Sequence, residues 1–414
     1  MLDFTDKPYR YFPPRYNRFW AWLLRAVNRR RYLPKVKRVV AVDVDVQRDL
    51  RPLTRRGDRL LFVPNHPSHA DPQVFLEAAS RIDVRPTIMA AYDVFLRSRL
   101  TAWSMQRLGC FSVDREGSDT QAMKEAGRTI MDGVSSLTIF PEGNVYLTND
   151  LVTPFHEGAA LMACRAAKQL VQRDQHVWLA PVSMKLSFTE NVREAVDERL
   201  RETAAALEVS LDETSPAEQQ VRAVGVAGLH RNLSQRGVDV PEVEELGGLI
   251  ERAAEAVLAA VEQKAGVSPK AGASLVQRVR DLRRAVHQVR IDHHRAADHF
   301  AAATWADEAM LAWRILSYRP DYVASRPTLD RYAETVEKLA EDTFRKEMPP
   351  LGPRQAWVRF GQPINVTDRL DAFGRGARQA MAALTAEAEA AVQQGVDAIN
   401  AENTLPGGRL PSDL

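Results

Sequence analysis

Between residues 37 and 190, short apolar runs alternate with helical patterns, and this alternation restricts the fold more than any other feature. "KRVVAVDVDV" (37–46) alternates apolar and polar residues, as a half-buried strand does. "RLLFVP" (59–64) reads as a fully buried strand. "PTIMAAY" (86–92), "GCFSVD" (109–114), "SLTIFP" (136–141) and "HVWLAPVSMKL" (176–186) are further strand-like runs. Helical patterns occupy 71–80, 94–107, 118–133 and 155–173. Strands alternating with helices predict an α/β fold: a mixed, largely parallel sheet flanked by helices.

After residue 190 the texture changes. Leu246, Ile250, Ala253, Val257 and Val261 recur at helical spacing, and so do Leu275, Val279, Leu282, Val286 and Val289. Leu329, Tyr332, Val336 and Leu339 mark another helix. Two Pro/Gly/Ser-containing loops, "LDETSPAEQQ" and "KAGVSPKAGAS", break the region. The expected organisation is a basic aromatic segment (1–36), a sheet core (37–189), an all-helical insertion (190–350), and a returning strand with a C-terminal helix (351–414). "QAWVRFGQPINV" (355–366) is that last strand, and the tail "TLPGGRLPSDL" is expected to fray.

Charge is unevenly distributed. Residues 1–60 hold 16 Lys and Arg against 6 Asp and Glu, a net of +10; the other 354 residues hold 40 against 48, a net of −8. The N-terminus has neither the long apolar core nor the small-residue cleavage site of a signal peptide. No run approaches the length of a membrane span. Instead, Phe19, Trp20, Trp22, Leu23 and Leu24 precede Arg29, Arg30, Arg31, Lys35, Lys37 and Arg38. This pattern predicts an N-terminal amphipathic helix lying on an anionic membrane surface; a packed helix with a solvated basic end is the plainer alternative. Nucleic acid is not an expected partner, because no motif for it is present. Two cysteines, Cys110 and Cys164, without metal or redox spacing fit a reducing compartment.

The chemistry gathers after the second apolar run, in "PNHPSHADP" (64–72). Asp71 followed by Pro72 signals a helix start, with Asp71 as its cap. His66 and Asp71 then lie in a strand-to-helix loop, where their side chains can converge. A carboxylate accepting from one imidazole nitrogen leaves the other as a base and stabilises the imidazolium that forms. Asp71 acting only as a cap is the structural alternative; a metal site of His66, His69 and Asp71 is a third reading with no further ligand spacing to support it. His156 and Glu157 read as helix-start residues, and His287, His293, His294 and His299 as the solvated face of an Arg-rich helix.

His, four residues, then Asp after an Asn resembles the first block of the glycerolipid acyltransferase family, the 1-acylglycerol-3-phosphate acyltransferase type. "GCFSVDR" (109–115) resembles its second block, with Gly109, Phe111 and Arg115. "FPEGN" (140–144) resembles the third, and "APVSMK" (180–185) the fourth, around Pro181. Four blocks in order are far more specific than one. The resemblance implies acyl transfer from acyl-CoA or acyl carrier protein to a hydroxyl of 1-acylglycerol-3-phosphate, with no cofactor, at the cytoplasmic face of a membrane. It implies His66 as general base and Asp71 as its orienting partner. Arg115 would hold the acceptor phosphate, and Glu142 an acceptor hydroxyl or a structural partner; Gly143, Asn144 and Pro181 complete the implied site. The absence of a G-x-S-x-G elbow agrees with direct attack. One departure stands out: the third block usually continues Glu-Gly-Thr-Arg, whereas here it runs Glu142, Gly143, Asn144, Val145. Asn or Val cannot replace that guanidinium. Either another cation substitutes, Lys185 being one, or the acceptor carries no phosphomonoester. A catalytically idle helical adaptor is the rival from a different class.

Overall fold

The computed structural model describes residues 9–115, 117, 119–212, 214–239, 245–292 and 298–409, which form two compact units. Eight strands are present: β1 (Val39–Val46), β2 (Arg59–Pro64), β3 (Pro86–Ala91), β4 (Phe111–Val113), β5 (Ser136–Thr138), β6 (Val177–Phe188), β7 (Arg354–Phe360) and β8 (Ile364–Asn365). The helices of the sheet unit are α1 (Arg18–Val27), α2 (Arg51–Arg55), α3 (Asp71–Arg81), α4 (Tyr92–Leu96), α5 (Arg99–Leu108), α6 (Thr120–Asp132) and α7 (Gly158–Leu170). The helical unit holds α8 (Arg193–Ala206), α9 (Ala217–Ser234), α10 (Leu246–Ala265), α11 (Leu275–Ile291), α12 (His299–Leu316) and α13 (Leu329–Phe344). A final long helix, α14 (Leu370–Glu402), belongs to the sheet unit.

The sheet order is β1-β7-β6-β2-β5-β3-β4, with β8 pairing β6. From β6 to β4 all neighbours are parallel, whereas β7 runs antiparallel to β6 and carries β1 parallel beside it. The fold is therefore α/β with a mixed, largely parallel sheet. The returning strand is an interior strand, because β7 inserts between β1 and β6. Two apolar layers cover the sheet. One gathers Phe62, Val74, Phe75, Phe95 and Phe360; the other gathers Leu61, Val63, Ile130, Ala163, Leu179 and Val392. Adjacent residues of β2 enter opposite layers, so a strand buried on both faces reads as a continuous apolar run.

Within the helical unit, Ala253 and Val257 of α10 and Val279, Leu282 and Val286 of α11 are buried, and both helices pack on α12. α12 carries no readable stripe in sequence. Residues 308–315 are all buried, Glu308 and Arg314 among them, so no solvated side marks out a stripe over the second half of the helix. His287 is buried rather than solvated, and His299 Nε2 donates to the Asp292 carbonyl (3.0 Å); His293 and His294 lie outside the described residues. The tail is ordered as far as described: Pro406–Gly408 form a short 3-10 turn, and Gly407 is buried.

α14 lies directly against β6. A Cβ on Gly395 would come 2.1 Å from Ser183 Oγ, whose hydroxyl donates to the Val392 carbonyl at 2.7 Å. Gly395→Ala should cost about 1–3 kcal/mol in unfolding free energy through overpacking. Gly374→Ala, in the same helix with open space around it, should be neutral or stabilising by up to about 1 kcal/mol. Equal midpoints for the two variants in urea unfolding would contradict this packing.

Candidate active site

The site is assembled outside the carboxyl ends of the parallel strands, where an open α/β sheet exposes its loops. The 65–70 loop follows β2, Arg115 follows β4, and residues 140–144 follow β5. His66 Nδ1 lies 2.8 Å from Asp71 Oδ2; the ring is largely buried and the carboxylate wholly so. The same Oδ2 accepts the Ser68 N–H at 2.7 Å. Burial pushes the Asp71 carboxyl up, opposed by the His66 and Ser68 hydrogen bonds. Asp71 is not the cap of α3. Ala70 holds that position, Asp71 is the first helical residue, and its oxygen turns back into the loop. The imidazole packs on Phe140 with centroids 4.5 Å apart, and Phe140 in turn meets Phe75.

Two side chains hold this loop: Asn65, to which the sequence assigned no role, and Glu142, for which it offered two. Asn65 continues the β2–β6 ladder with its side chain: Nδ2 donates to the Met184 carbonyl (2.9 Å), and Oδ1 accepts the Met184 N–H (2.7 Å). Glu142 is buried, and of its two anticipated roles the structure displays the structural one. Oε1 accepts the His66 backbone N–H at 2.7 Å, and Oε2 accepts the Thr153 N–H at 3.1 Å. Burial pushes its carboxyl up to about 8, although both N–H groups favour the ionised form. The 150–155 segment is held from α14: Gln393 Oε1 accepts from Val152 N (2.8 Å), and Glu389 Oε2 accepts from Phe155 N (2.7 Å). These partners lie more than 230 residues away in the chain, and no local pattern announces them.

The remaining expected residues behave differently. Arg115 Nη1 donates to the Gly143 carbonyl (2.9 Å) and to Asn144 Oδ1 (2.5 Å), while Nη2 faces Asp93 at 3.4 Å. The guanidinium thus clamps the 143–144 turn. Gly143 has φ +77°, and a Cβ there would approach the His156 ring to 3.1 Å. His156 covers this turn, and Glu157, at the N-cap of α7, makes no side-chain cap bond. Pro181 is buried inside β6, opposite Val63, and its carbonyl accepts the Gly361 N–H. Lys185 is not an open cation: it is 1% exposed and paired with Asp150. Gly109 closes α5, and the strand begins two residues later. Both cysteines are buried, with thiols pushed up to about 12 by desolvation. Among the described residues no group of three His, Cys, Asp or Glu side chains is placed to hold a metal ion.

On the N-terminal side, α1 runs into a π-helical stretch, Asn28–Val36, containing Pro34. Phe19 and Trp22 are 60% and 65% exposed, while Leu23 and Leu24 are half-buried. Arg29 is taken up by Glu77 (2.9 Å), and Lys37 is buried, so neither is a free surface cation. No described helix is long and apolar enough to cross a membrane.

Residues 42–185 match a family model described as Acyltransferase. The match runs from β1 into β6, covers just over a third of the 414 residues, and contains the whole strand-end constellation. No curated protein matches the chain.

The Glu142 carboxyl gives a pH signature. Its folded value near 8 exceeds the ordinary 4.5, so the native state binds more protons between those pH values. Its contribution to stability therefore falls as pH rises through that window, by at most about 1.4 kcal/mol per unit. Glu142→Gln should be less stable at pH 5 and show a flatter pH dependence from 5 to 8. Parallel stability curves for the two proteins would rule this out.

Proposed function

We propose, from the acyltransferase-like stretch at residues 42–185, that this protein transfers a fatty acyl group from a thioester to the hydroxyl of 1-acylglycerol-3-phosphate. The observation that carries the reading is the His66–Asp71 hydrogen bond at a strand end. An ionised Asp71 accepts Nδ1–H, which leaves the Nε2 lone pair as base and stabilises the imidazolium. Nε2 takes the acceptor's hydroxyl proton as that oxygen attacks the thioester carbonyl. The tetrahedral intermediate collapses with cleavage of the C–S bond, and the imidazolium returns the proton to the leaving thiolate. The buried, high-pKa cysteines favour this direct route over an acyl-enzyme. Acyl-CoA or acyl carrier protein is the donor, and no cofactor is required. Arg115 and Glu142 act by holding the 143–144 turn and the His66 loop, and Gly143 and Asn144 border the acceptor.

The protein works at the cytoplasmic face of an anionic membrane. Exposed Phe19 and Trp22 support this, as does Leu100, 70% exposed on α5; the two helices meet through Trp20 and Trp103, 5.0 Å apart. Their apolar side chains suit the headgroup boundary, and Arg30, Arg31 and Lys35 remain exposed for lipid phosphates. A second reading, transfer to a lyso-lipid lacking a phosphomonoester, is favoured by the engaged Arg115 and the buried Lys185.

With labelled acyl-CoA, His66→Ala and Asp71→Asn should each lower kcat about 10²- to 10⁴-fold while leaving the fold intact. Turnover unaffected by His66→Ala would refute general-base chemistry. The ratio of kcat/KM for 1-acylglycerol-3-phosphate and for monoacylglycerol separates the two acceptor readings. Sedimentation with anionic vesicles should weaken at high salt and in the Phe19→Ser/Trp22→Ser double variant. Binding insensitive to both would remove the membrane from this account.

A further inference from the structure

The inner face of α1 carries Ala21, Arg25 and Asn28 at helical spacing. Ala21 is buried, and Asn28 Nδ2 donates to the Gln73 carbonyl in the first turn of α3 at 3.0 Å. One turn earlier stands Arg25, whose Nε and Nη2 are buried without a hydrogen-bond partner among the described residues. Other arginines have a buried nitrogen in that condition, but each is engaged elsewhere. Arg59 donates to two backbone carbonyls, Arg85 lies over Tyr16, Arg354 donates to the Lys37 carbonyl, and Arg199 and Arg359 meet carboxylates. Arg314 lies 3.9 Å from Asp307. Arg25 has no such second contact. Its position in the last turn of α1 does not explain it, because the backbone continues into the π-helical stretch and the Asn28 N–H reaches the Arg25 and Leu24 carbonyls.

Acceptors without donors lie on the helix that Asn28 ties to this segment. Gln73 Oε1 and Asp71 Oδ1 are both buried and unpaired, and both belong to the first turn of α3. Two buried guanidinium nitrogens and two buried oxygens left open are costly unless something joins them. An anion that also carries a hydroxyl group would satisfy both the open Arg25 nitrogens and Gln73 Oε1. This demand coincides with the gap in the site: the third-block arginine is missing, Arg115 is spent on the 143–144 turn, and Lys185 is closed off by Asp150.

We infer that Arg25 binds a phosphate group of a substrate at the first turn of α3, and so supplies the cation absent after Gly143. The inference rests on the acyl-transfer reading for the identity of the substrate but not for the binding itself. The phosphate belongs either to the acceptor or to the nucleotide of an acyl-CoA donor, and the chemistry of recognition is the same. The guanidinium fork takes two phosphate oxygens, and Gln73 Oε1 accepts from a neighbouring hydroxyl.

The test is calorimetric titration of the full chain with glycerol 3-phosphate and, separately, with coenzyme A. Wild type should bind at least one of them, and Arg25→Ala should weaken that binding at least tenfold. Arg25→Lys should recover part of the loss. Arg18→Ala, an exposed cation of the same helix, should leave the affinity within twofold. Loss confined to glycerol 3-phosphate assigns the site to the acceptor, and loss confined to coenzyme A assigns it to the donor. Equal affinities for wild type and Arg25→Ala, or no binding of either probe by wild type, overturn the inference and leave the open atoms to ordered water. Unchanged melting of Arg25→Ala excludes misfolding as the cause of a loss. Failure of the acyl-transfer reading looks different: turnover survives His66→Ala, or no acceptor is used, while phosphate binding still depends on Arg25.

Discussion

The candidate site depends on a buried carboxyl group that makes no contact with the imidazole nitrogens. Glu142 takes the His66 backbone N–H on one oxygen and the Thr153 N–H on the other. It thereby ties the loop after β2 to the segment leading into α7. Neither N–H has a strand to pair with there, and a buried amide without a partner is costly. Glu142 satisfies both groups, and Asn65 fixes the start of the same loop through the Met184 backbone. In that geometry the His66 ring meets Asp71 at 2.8 Å while resting on Phe140. The hydrogen bond suited to catalysis follows from backbone satisfaction elsewhere.

The basic N-terminus is divided by the same logic. A block of cations in sequence suggests one uniform surface. In the structure Arg29 neutralises the buried Glu77, which also pairs with Arg81, and Lys37 is enclosed. Arg25 faces inward, whereas Arg30, Arg31 and Lys35 remain outside. Exposed Phe19 and Trp22 of α1 and the exposed Leu100 of α5 then lie on two helices joined by the Trp20–Trp103 contact. α5 carries only a modest apolar pattern, so its part in that surface emerges from packing.

The sheet was legible because β-strands buried on both faces leave continuous apolar runs. "RLLFVP" coincides with β2 from end to end. The helical seams of α10 and α11 were legible for the corresponding reason: one side of each is buried and the other is solvated. α12 was not, since its second half is buried on every side and leaves no period to detect. The His66–Asp71 approach was legible as a possibility, through spacing and the helix-start signal at Pro72. The signal misplaced the carboxylate, which faces the loop and not the helix end.

The sequence by itself determined an alternation that demands a two-sided sheet, and it set a histidine and an aspartate five positions apart at a strand end. Both are local properties, governed by side-chain periodicity and by chain length. Tertiary structure decided which charges are available. In the chain Lys185 and Arg115 read as available cations, Glu142 as an acceptor ligand or structural partner, and Arg25 as one more charge of the basic N-terminus. One is sealed against Asp150, one is spent on a turn, one holds a loop and one is left with open donors. That distinction depends on partners 28, 35 and 76 residues away, and on the loss of water around each group, neither of which a local pattern records.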